Sequence, residues 1–131
     1  MRVCCAGAMS ATPRRRRVVA VLVVALLLVQ AAAVYLPQSP GPPSPIPHGD
    51  KVVHALIFGA PVLASGLAKG RGWLLVALGC LVHAPVSEVI QHRALATRSG
   101  DIWDVVADLV GIGLAAAGVG WGIRRPRRRR L

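Results

Sequence analysis

Carboxylates are scarce in this chain, five against sixteen lysines and arginines. Three of them, Asp101, Asp104 and Asp108, stand at relative positions 0, 3 and 7, a spacing that places them on one face of a helix. A carboxylate near hydrocarbon is costly unless it is paired or faces a wet cavity, and it is by default a sign of function. Such a stripe could bind a divalent cation or a cationic ligand, or retain protons.

The remaining acids stand beside other polar side chains, again at helical spacing. Asp50 and His54 are at i and i+4 with Lys51 between them, and Glu88 and Gln91 are at i and i+3, so each pair shares a helix face. If these segments end at one depth, their polar stripes converge into one pocket. The candidate ligand-binding residues are Asp50, Lys51, His54, Glu88, Gln91, Arg98, Asp101, Asp104 and Asp108.

The rest of the chain consists of apolar elements that must position these residues. Hydrophobic residues make up 54% of the 131 residues, and mean hydropathy is +0.57. Four apolar runs approach the roughly 20 residues that a helix needs to cross a bilayer. We therefore predict an all-α membrane protein, a bundle of four transmembrane helices. The predicted segments are a basic lead (1–17), spans at about 18–36, 51–68, 73–90 and 101–123, and a basic tail (124–131).

The formal net charge of +11 lies mainly in arginine blocks at both ends of the chain. Blocks of this kind beside apolar runs are typical of membrane orientation and do not favour nucleic-acid binding. The positive-inside bias places Arg14–Arg17, the turn with Lys69 and Arg71, and residues 124–130 in the cytoplasm. Both termini are then cytoplasmic and the polar pocket faces outward. In a second interpretation, Ala31-Ala32-Ala33 marks a cleavable signal, which leaves three spans and the same pocket.

The acids differ in how readily a structural role explains them. Asp50 and Asp101 open helices, where a carboxylate caps backbone N–H groups and meets the positive end of the dipole. Asp108 lies about 10 Å along its helix, beyond capping reach, so it needs a partner of another kind. Glu88 lies near a helix C-terminus, where the dipole disfavours its charge. The candidate partners for Glu88 are Arg98, Lys51 and His54.

Two other features favour packing roles. His83 lies inside the third span without an acid at helical spacing, so we expect it to pack in the bundle. Gly118 and Gly122 form a small-xxx-small pair in the fourth span, which is typical of close helix contact.

Three segments carry a resemblance to a known family. They are Asp50-Lys51-Val52-Val53-His54, then Glu88-Val89-Ile90-Gln91, then Arg98 with Asp101, Asp104, Asp108 and Gly111. In order and spacing they resemble the VanZ-like family, whose pattern reads D-K-x-x-H, E-x-x-Q and R-x-x-D-x-x-D-x-x-x-N-x-x-G. The resemblance covers about residues 35–115, and Asp108 stands where the family usually has Asn. These are small bacterial multi-span membrane proteins, some linked to teicoplanin resistance, so the resemblance implies a bacterial inner-membrane protein with an envelope role rather than a particular reaction.

Three functions fit these patterns. The first is binding, in which the outward pocket holds an envelope precursor or a glycopeptide antibiotic. The second is a membrane enzyme, in which a divalent metal or an acid–base pair acts on a lipid-linked envelope precursor. The third is a structural subunit whose acids hold the spans together. The sequence favours binding, because it contains no strong catalytic motif such as H-E-x-x-H.

Overall fold

A computed structural model describes residues 12–36, 47–68, 70–94 and 101–124. These residues form four helices and no strand, which confirms the all-α prediction: α1 (Pro13–Tyr35), α2 (Gly49–Gly66), α3 (Trp73–Ala94) and α4 (Ile102–Arg124). The predicted site residue Arg98, the Pro-rich stretch at 37–46, Lys69 and the tail from 125 onward lie outside the described residues.

Helix α1 starts earlier than the predicted first span. The side chain of Thr12 accepts a hydrogen bond from the backbone nitrogen of Arg15 (3.4 Å), and Pro13 occupies the first turn. A hydroxyl at the N-cap and proline directly after it are both favoured at a helix start. The arginines at 14–17, assigned from the sequence to a lead outside the span, are therefore the first turns of α1.

Three of the helices, α1, α3 and α4, are long and apolar enough to cross a membrane. Their outer faces carry large apolar side chains, such as Leu75, Val21 and Leu114, each at least 70% exposed. A surface of this kind suits contact with lipid. Helix α2 does not meet the same measure, because Asp50, Lys51 and His54 occupy its first turns.

Helix α2 lies at the centre of the bundle and packs against each of the other three helices. Its buried residues Phe58 and Val62 form the main core with Val34 of α1, Ala84 of α3 and Ile112 of α4. The most extensive contact is between α2 and α4. In the first turns of α2, Lys51 and His54 are largely buried against the neighbouring helices, whereas Asp50 is exposed.

The α2–α4 contact is close because glycines face backbone across it. A Cβ added to Gly59 would lie 2.8 Å from the carbonyl oxygen of Gly111, and one added to Gly111 would overlap the backbone of Ala55. The close packing expected at Gly118 and Gly122 is not found among the described residues. A Cβ at Gly118 would touch only Leu63, at 4.0 Å, and one at Gly122 would meet nothing within 4 Å. The helices approach most closely at Gly111 instead.

Candidate functional site

The polar residues meet where α2 and α4 begin and α3 ends. Lys51 lies at the centre of the outer part, and its ammonium group contacts Asp101 Oδ2 at 2.6 Å, Asp104 Oδ1 at 2.5 Å and Asp50 Oδ2 at 3.1 Å. The Lys51 side chain is 22% exposed and that of Asp104 15%, whereas that of Asp50 is 61% exposed. Lys51 therefore joins α2 to the start of α4 through the half-buried carboxylate of Asp101 and the largely buried carboxylate of Asp104.

Asp101 connects three elements at the start of α4. Its Oδ1 accepts a hydrogen bond from the backbone nitrogen of Trp103 (2.9 Å), which confirms the predicted capping role. The hydrogen bond from Lys51 holds the pKa of the Asp101 carboxyl below its ordinary value. Its own backbone N–H donates to Glu88 Oε2 at 2.8 Å. The end of α3 and the start of α4 are thereby joined.

Glu88 has a partner that the sequence did not indicate. Of the expected partners, Lys51 and His54 make no hydrogen bond to Glu88 among the described residues, and Arg98 lies outside them; Oε2 of Glu88 accepts from the N–H of Asp101. Free N–H groups at a helix start favour an anion, and this signal was readable from the position of Asp101. The other oxygen, Oε1, is buried and has no hydrogen-bond partner among the described residues. Glu88 as a whole is only 7% exposed.

His54 and Asp108 form the inner part of the site. His54 Nδ1 is hydrogen-bonded to Asp108 Oδ1 (3.0 Å), and His54 Nε2 lies 3.7 Å from Asp104 Oδ2. Asp108 is fully buried, and its Oδ2 has no partner within the described part of the chain. The partner that Asp108 was expected to need is therefore His54, one helix away.

Three of these side chains stand close enough to share a metal ion. His54, Glu88 and Asp104 each offer one ligand atom, and the three atoms lie within 4.8 Å of one another. One nitrogen and two oxygens are a donor set that divalent transition metals accept. Asp108 does not belong to this group of three, but it holds the imidazole of His54.

Gln91 contacts the backbone of α1. Its Nε2 donates to the backbone oxygen of Val34 in α1 at 3.0 Å. The side chain is buried, with an exposure of 3%. This geometry gives Gln91 a structural role between α3 and the end of α1.

A second polar network lies deeper between α1 and α3. His83 is hydrogen-bonded through Nδ1 to Gln30 (2.9 Å) and through Nε2 to the hydroxyl of Tyr35 (2.8 Å), and its ring stacks on Phe58. The Cys80 thiol donates weakly to Gln30 Oε1 at 3.9 Å. The sequence indicated packing for His83 but not these partners, because they lie on a different helix.

Two open grooves flank the acidic cluster. One, of about 370 Å³, lies between α3 and α4 and includes Glu88, Arg93 and Asp101 in its lining. The other, of about 630 Å³, lies beside the starts of α2 and α4 and includes Asp50 and Lys51. Asp101 borders both grooves, so a ligand in either one would meet the cluster.

Comparison with protein-family models, with curated proteins and with solved structures finds no match to this chain. The resemblance to the VanZ-like family stays a prediction from the sequence pattern.

Proposed function

We propose that this chain is a four-span protein of the bacterial inner membrane that binds a polar envelope component at its outward end. The apolar faces of α1, α3 and α4 support membrane insertion. The alternation of basic segments supports cytoplasmic termini. Helix α2 is the fourth span in this proposal, with Lys51 and His54 of its first turns largely buried. The VanZ-like residue pattern supports a role in the response to glycopeptide antibiotics.

The observation that carries the proposal is the concentration of charge at one end of the bundle. Lys51, His54, Glu88, Asp104 and Asp108 come from three helices and are at most 22% exposed. Burying such groups is costly, and they are retained where a site uses them. Glu88 borders one open groove and Lys51 borders the other. The ligand is an envelope precursor or a glycopeptide that presents amine and hydroxyl groups, which carboxylates can bind.

Binding is favoured over catalysis because the candidate nucleophiles have other contacts. The hydroxyl of Ser87 donates to the backbone oxygen of Ala84 (2.8 Å), and the thiol of Cys80 points to Gln30. Neither is hydrogen-bonded to His54 or to an acid of the cluster, in the part of the chain that the structure describes. A nucleophile needs a base within hydrogen-bond reach.

The functional test compares deletion with single substitutions in the native host. We expect deletion to change susceptibility to teicoplanin, and Glu88→Gln and Asp104→Asn to reproduce the deletion at an unchanged protein level in the membrane. Arg14→Gln is the matched control, because that exposed side chain lies beside Leu67, at the end of the bundle opposite the cluster. Full function of both test variants would refute a binding role. Loss of the protein from the membrane in both would favour the structural-subunit alternative.

The orientation has its own test. Two variants each carry one cysteine, and their native cysteines are replaced by serine. In Asp50→Cys the thiol lies at the start of α2, and in Arg71→Cys it lies in the turn between α2 and α3, at the other end of these helices. A membrane-impermeant maleimide applied to intact cells should label the cysteine at 50 and not that at 71. The reverse pattern would overturn the proposed topology and the outward site together.

A further inference from the structure

We infer that His54, Glu88 and Asp104 bind a divalent transition-metal ion, with Asp108 as the residue that positions the imidazole. The inference rests on the proposed function, because the ion would lie in the same site and present its open coordination position to the ligand. Three further observations carry it: the separation of the ligand atoms, the orientation of His54, and the unpartnered buried oxygens.

The separation of the ligand atoms fits a shared ion better than a hydrogen bond. His54 Nε2 and Asp104 Oδ2 are 3.7 Å apart, too far for a direct hydrogen bond. Two ligands about 2.0–2.1 Å from one zinc ion in tetrahedral geometry lie roughly 3.3 Å apart. A small inward movement of the side chains therefore brings Nε2, Oδ2 and a Glu88 oxygen, all within 4.8 Å, into coordination range.

The orientation of His54 is that of a metal ligand. Because an ionised carboxylate only accepts hydrogen bonds, the 3.0 Å contact with Asp108 Oδ1 assigns the ring proton to Nδ1. In the neutral imidazole, the lone pair of Nε2 then faces Asp104. Metal-bound histidines nearly always donate the second ring N–H to a carboxylate or carbonyl, which fixes the tautomer and makes the ligand more basic. Asp108 provides that contact here.

Among the described residues, no lysine or arginine pairs with the buried oxygens of Glu88 and Asp108. Lys51 contacts Asp50, Asp101 and Asp104, and makes no ion pair with Glu88 or Asp108 in the described chain. Glu88 Oε2 is held by the N–H of Asp101, which leaves Oε1 buried and unpartnered. An unpaired buried charge is strongly destabilising. A divalent cation between Glu88, Asp104 and His54 would supply the missing charge.

The donor set indicates which ions bind. One imidazole and two carboxylates suit Zn²⁺, Mn²⁺ or Fe²⁺ better than Ca²⁺, which prefers oxygen ligands alone. Three protein ligands also leave a coordination position open, as in zinc sites that take up a further ligand. A polar oxygen of the bound envelope component would occupy that position.

The binding experiment uses the full chain purified in detergent without a polyhistidine tag, with Cys4 and Cys5 replaced by serine because thiols also bind zinc. After treatment with a chelator, Zn²⁺ and Mn²⁺ are titrated by calorimetry and counted by elemental analysis. We expect one ion per chain. His54→Gln, Glu88→Gln and Asp104→Asn should each lower the affinity at least about 100-fold, and His92→Gln, which removes an exposed imidazole of α3, should leave it unchanged.

The role of Asp108 needs a readout beyond affinity. Asp108→Asn should weaken Zn²⁺ binding about 10- to 100-fold and shift the visible absorption bands of the Co²⁺-loaded protein, with the stoichiometry still one ion per chain. A variant that only loosened the fold would lose Co²⁺ without changing the spectrum of the bound fraction. An unshifted spectrum at full occupancy would overturn the positioning role.

A measurement on the protein with its native ligand residues does not depend on whether a variant folds. Pulsed electron paramagnetic resonance of the Mn²⁺-loaded protein should detect one coordinated imidazole nitrogen. Absence of that coupling, or of any stoichiometric ion, overturns the metal site. If the protein binds no ion but Glu88→Gln still abolishes the teicoplanin phenotype, only the metal inference fails. If the ion binds while the phenotype survives Glu88→Gln, the metal site stands and the proposed function fails.

Discussion

The close contact between α2 and α4 at Gly111 provides a test of the whole architecture. A methyl group added to Gly111 would overlap the backbone carbonyl of Ala55. Backbone cannot rotate away as a flexible side chain does, so the two helices must separate by on the order of 1 Å to restore ordinary contact. Gly113, two residues further on, has nothing within 4 Å of the same added atom. Gly111→Ala and Gly113→Ala therefore form a matched pair that differs only in what the methyl meets.

The two substitutions should change the free energy of unfolding in opposite directions. Overpacking in a tight contact costs up to about 3 kcal/mol. Alanine recovers about 1 kcal/mol of helix propensity relative to glycine. The net loss for Gly111→Ala is then about 2 kcal/mol, whereas Gly113→Ala should be neutral or stabilising by up to about 1 kcal/mol. At roughly 4 °C per kcal/mol for a chain of this size, the midpoint of thermal unfolding should fall by about 8 °C for Gly111→Ala. It should not fall for Gly113→Ala.

The assay is thermal unfolding of the detergent-solubilised protein, followed by tryptophan fluorescence. Gly111 also lies one turn after Asp108, and Ala55 follows His54. A wider α2–α4 distance should therefore weaken the His54–Asp108 contact, and Zn²⁺ affinity should fall with the midpoint in Gly111→Ala alone. Equal midpoints for the two variants would refute the close approach at Gly111, and with it the packing that positions the inner acids.

Two further substitutions separate the site from the fold. Lys51→Met removes the cation shared by Asp101 and Asp104. It should lower the free energy of unfolding by about 2 kcal/mol, less than for a fully buried pair because 22% of Lys51 is exposed. At roughly 4 °C per kcal/mol, a thermal midpoint within about 2 °C of the parent's would contradict this. His83→Phe removes two interhelical hydrogen bonds and should lower the free energy of unfolding by about 1–3 kcal/mol, while the Zn²⁺ affinity stays unchanged. A loss of Zn²⁺ affinity along with the loss of stability would show that the network around His83 belongs to the site.

Most of the site was predictable because helical spacing fixes which side chains share a face. The stripe of Asp101, Asp104 and Asp108 needed only the period of the helix, and the antiparallel succession of helices then brought it beside Lys51 and His54. The pairing of Asp108 with His54 was not predictable in the same way. It depends on the rotation of α2 against α4, which is set by the contact at Gly111, and a single sequence does not reveal helix rotation.

Two contacts were not predicted from the sequence, for one physical reason: both involve backbone groups. Glu88 was expected to need a charged side chain, but the N–H of Asp101 satisfies one of its oxygens. Gln91 was placed in the pocket on its spacing from Glu88, but its amide binds the carbonyl of Val34. Backbone donors and acceptors at helix ends are present whatever the residue type, so reasoning from side-chain chemistry overlooks them.

The five carboxylates divide into an outer and an inner layer with different charge balance. In the outer layer, Lys51 holds Asp50 and Asp101, and water reaches both acids. In the inner layer, Asp104 shares that lysine, while the partners of Glu88 and Asp108 within the described residues are the N–H of Asp101 and the ring of His54. Burial increases from the first layer to the second as positive charge decreases. Because no lysine or arginine of the described residues contacts Glu88 or Asp108, a proton or a cation in the inner layer would balance this charge, and the metal ion proposed between His54, Glu88 and Asp104 is one such cation.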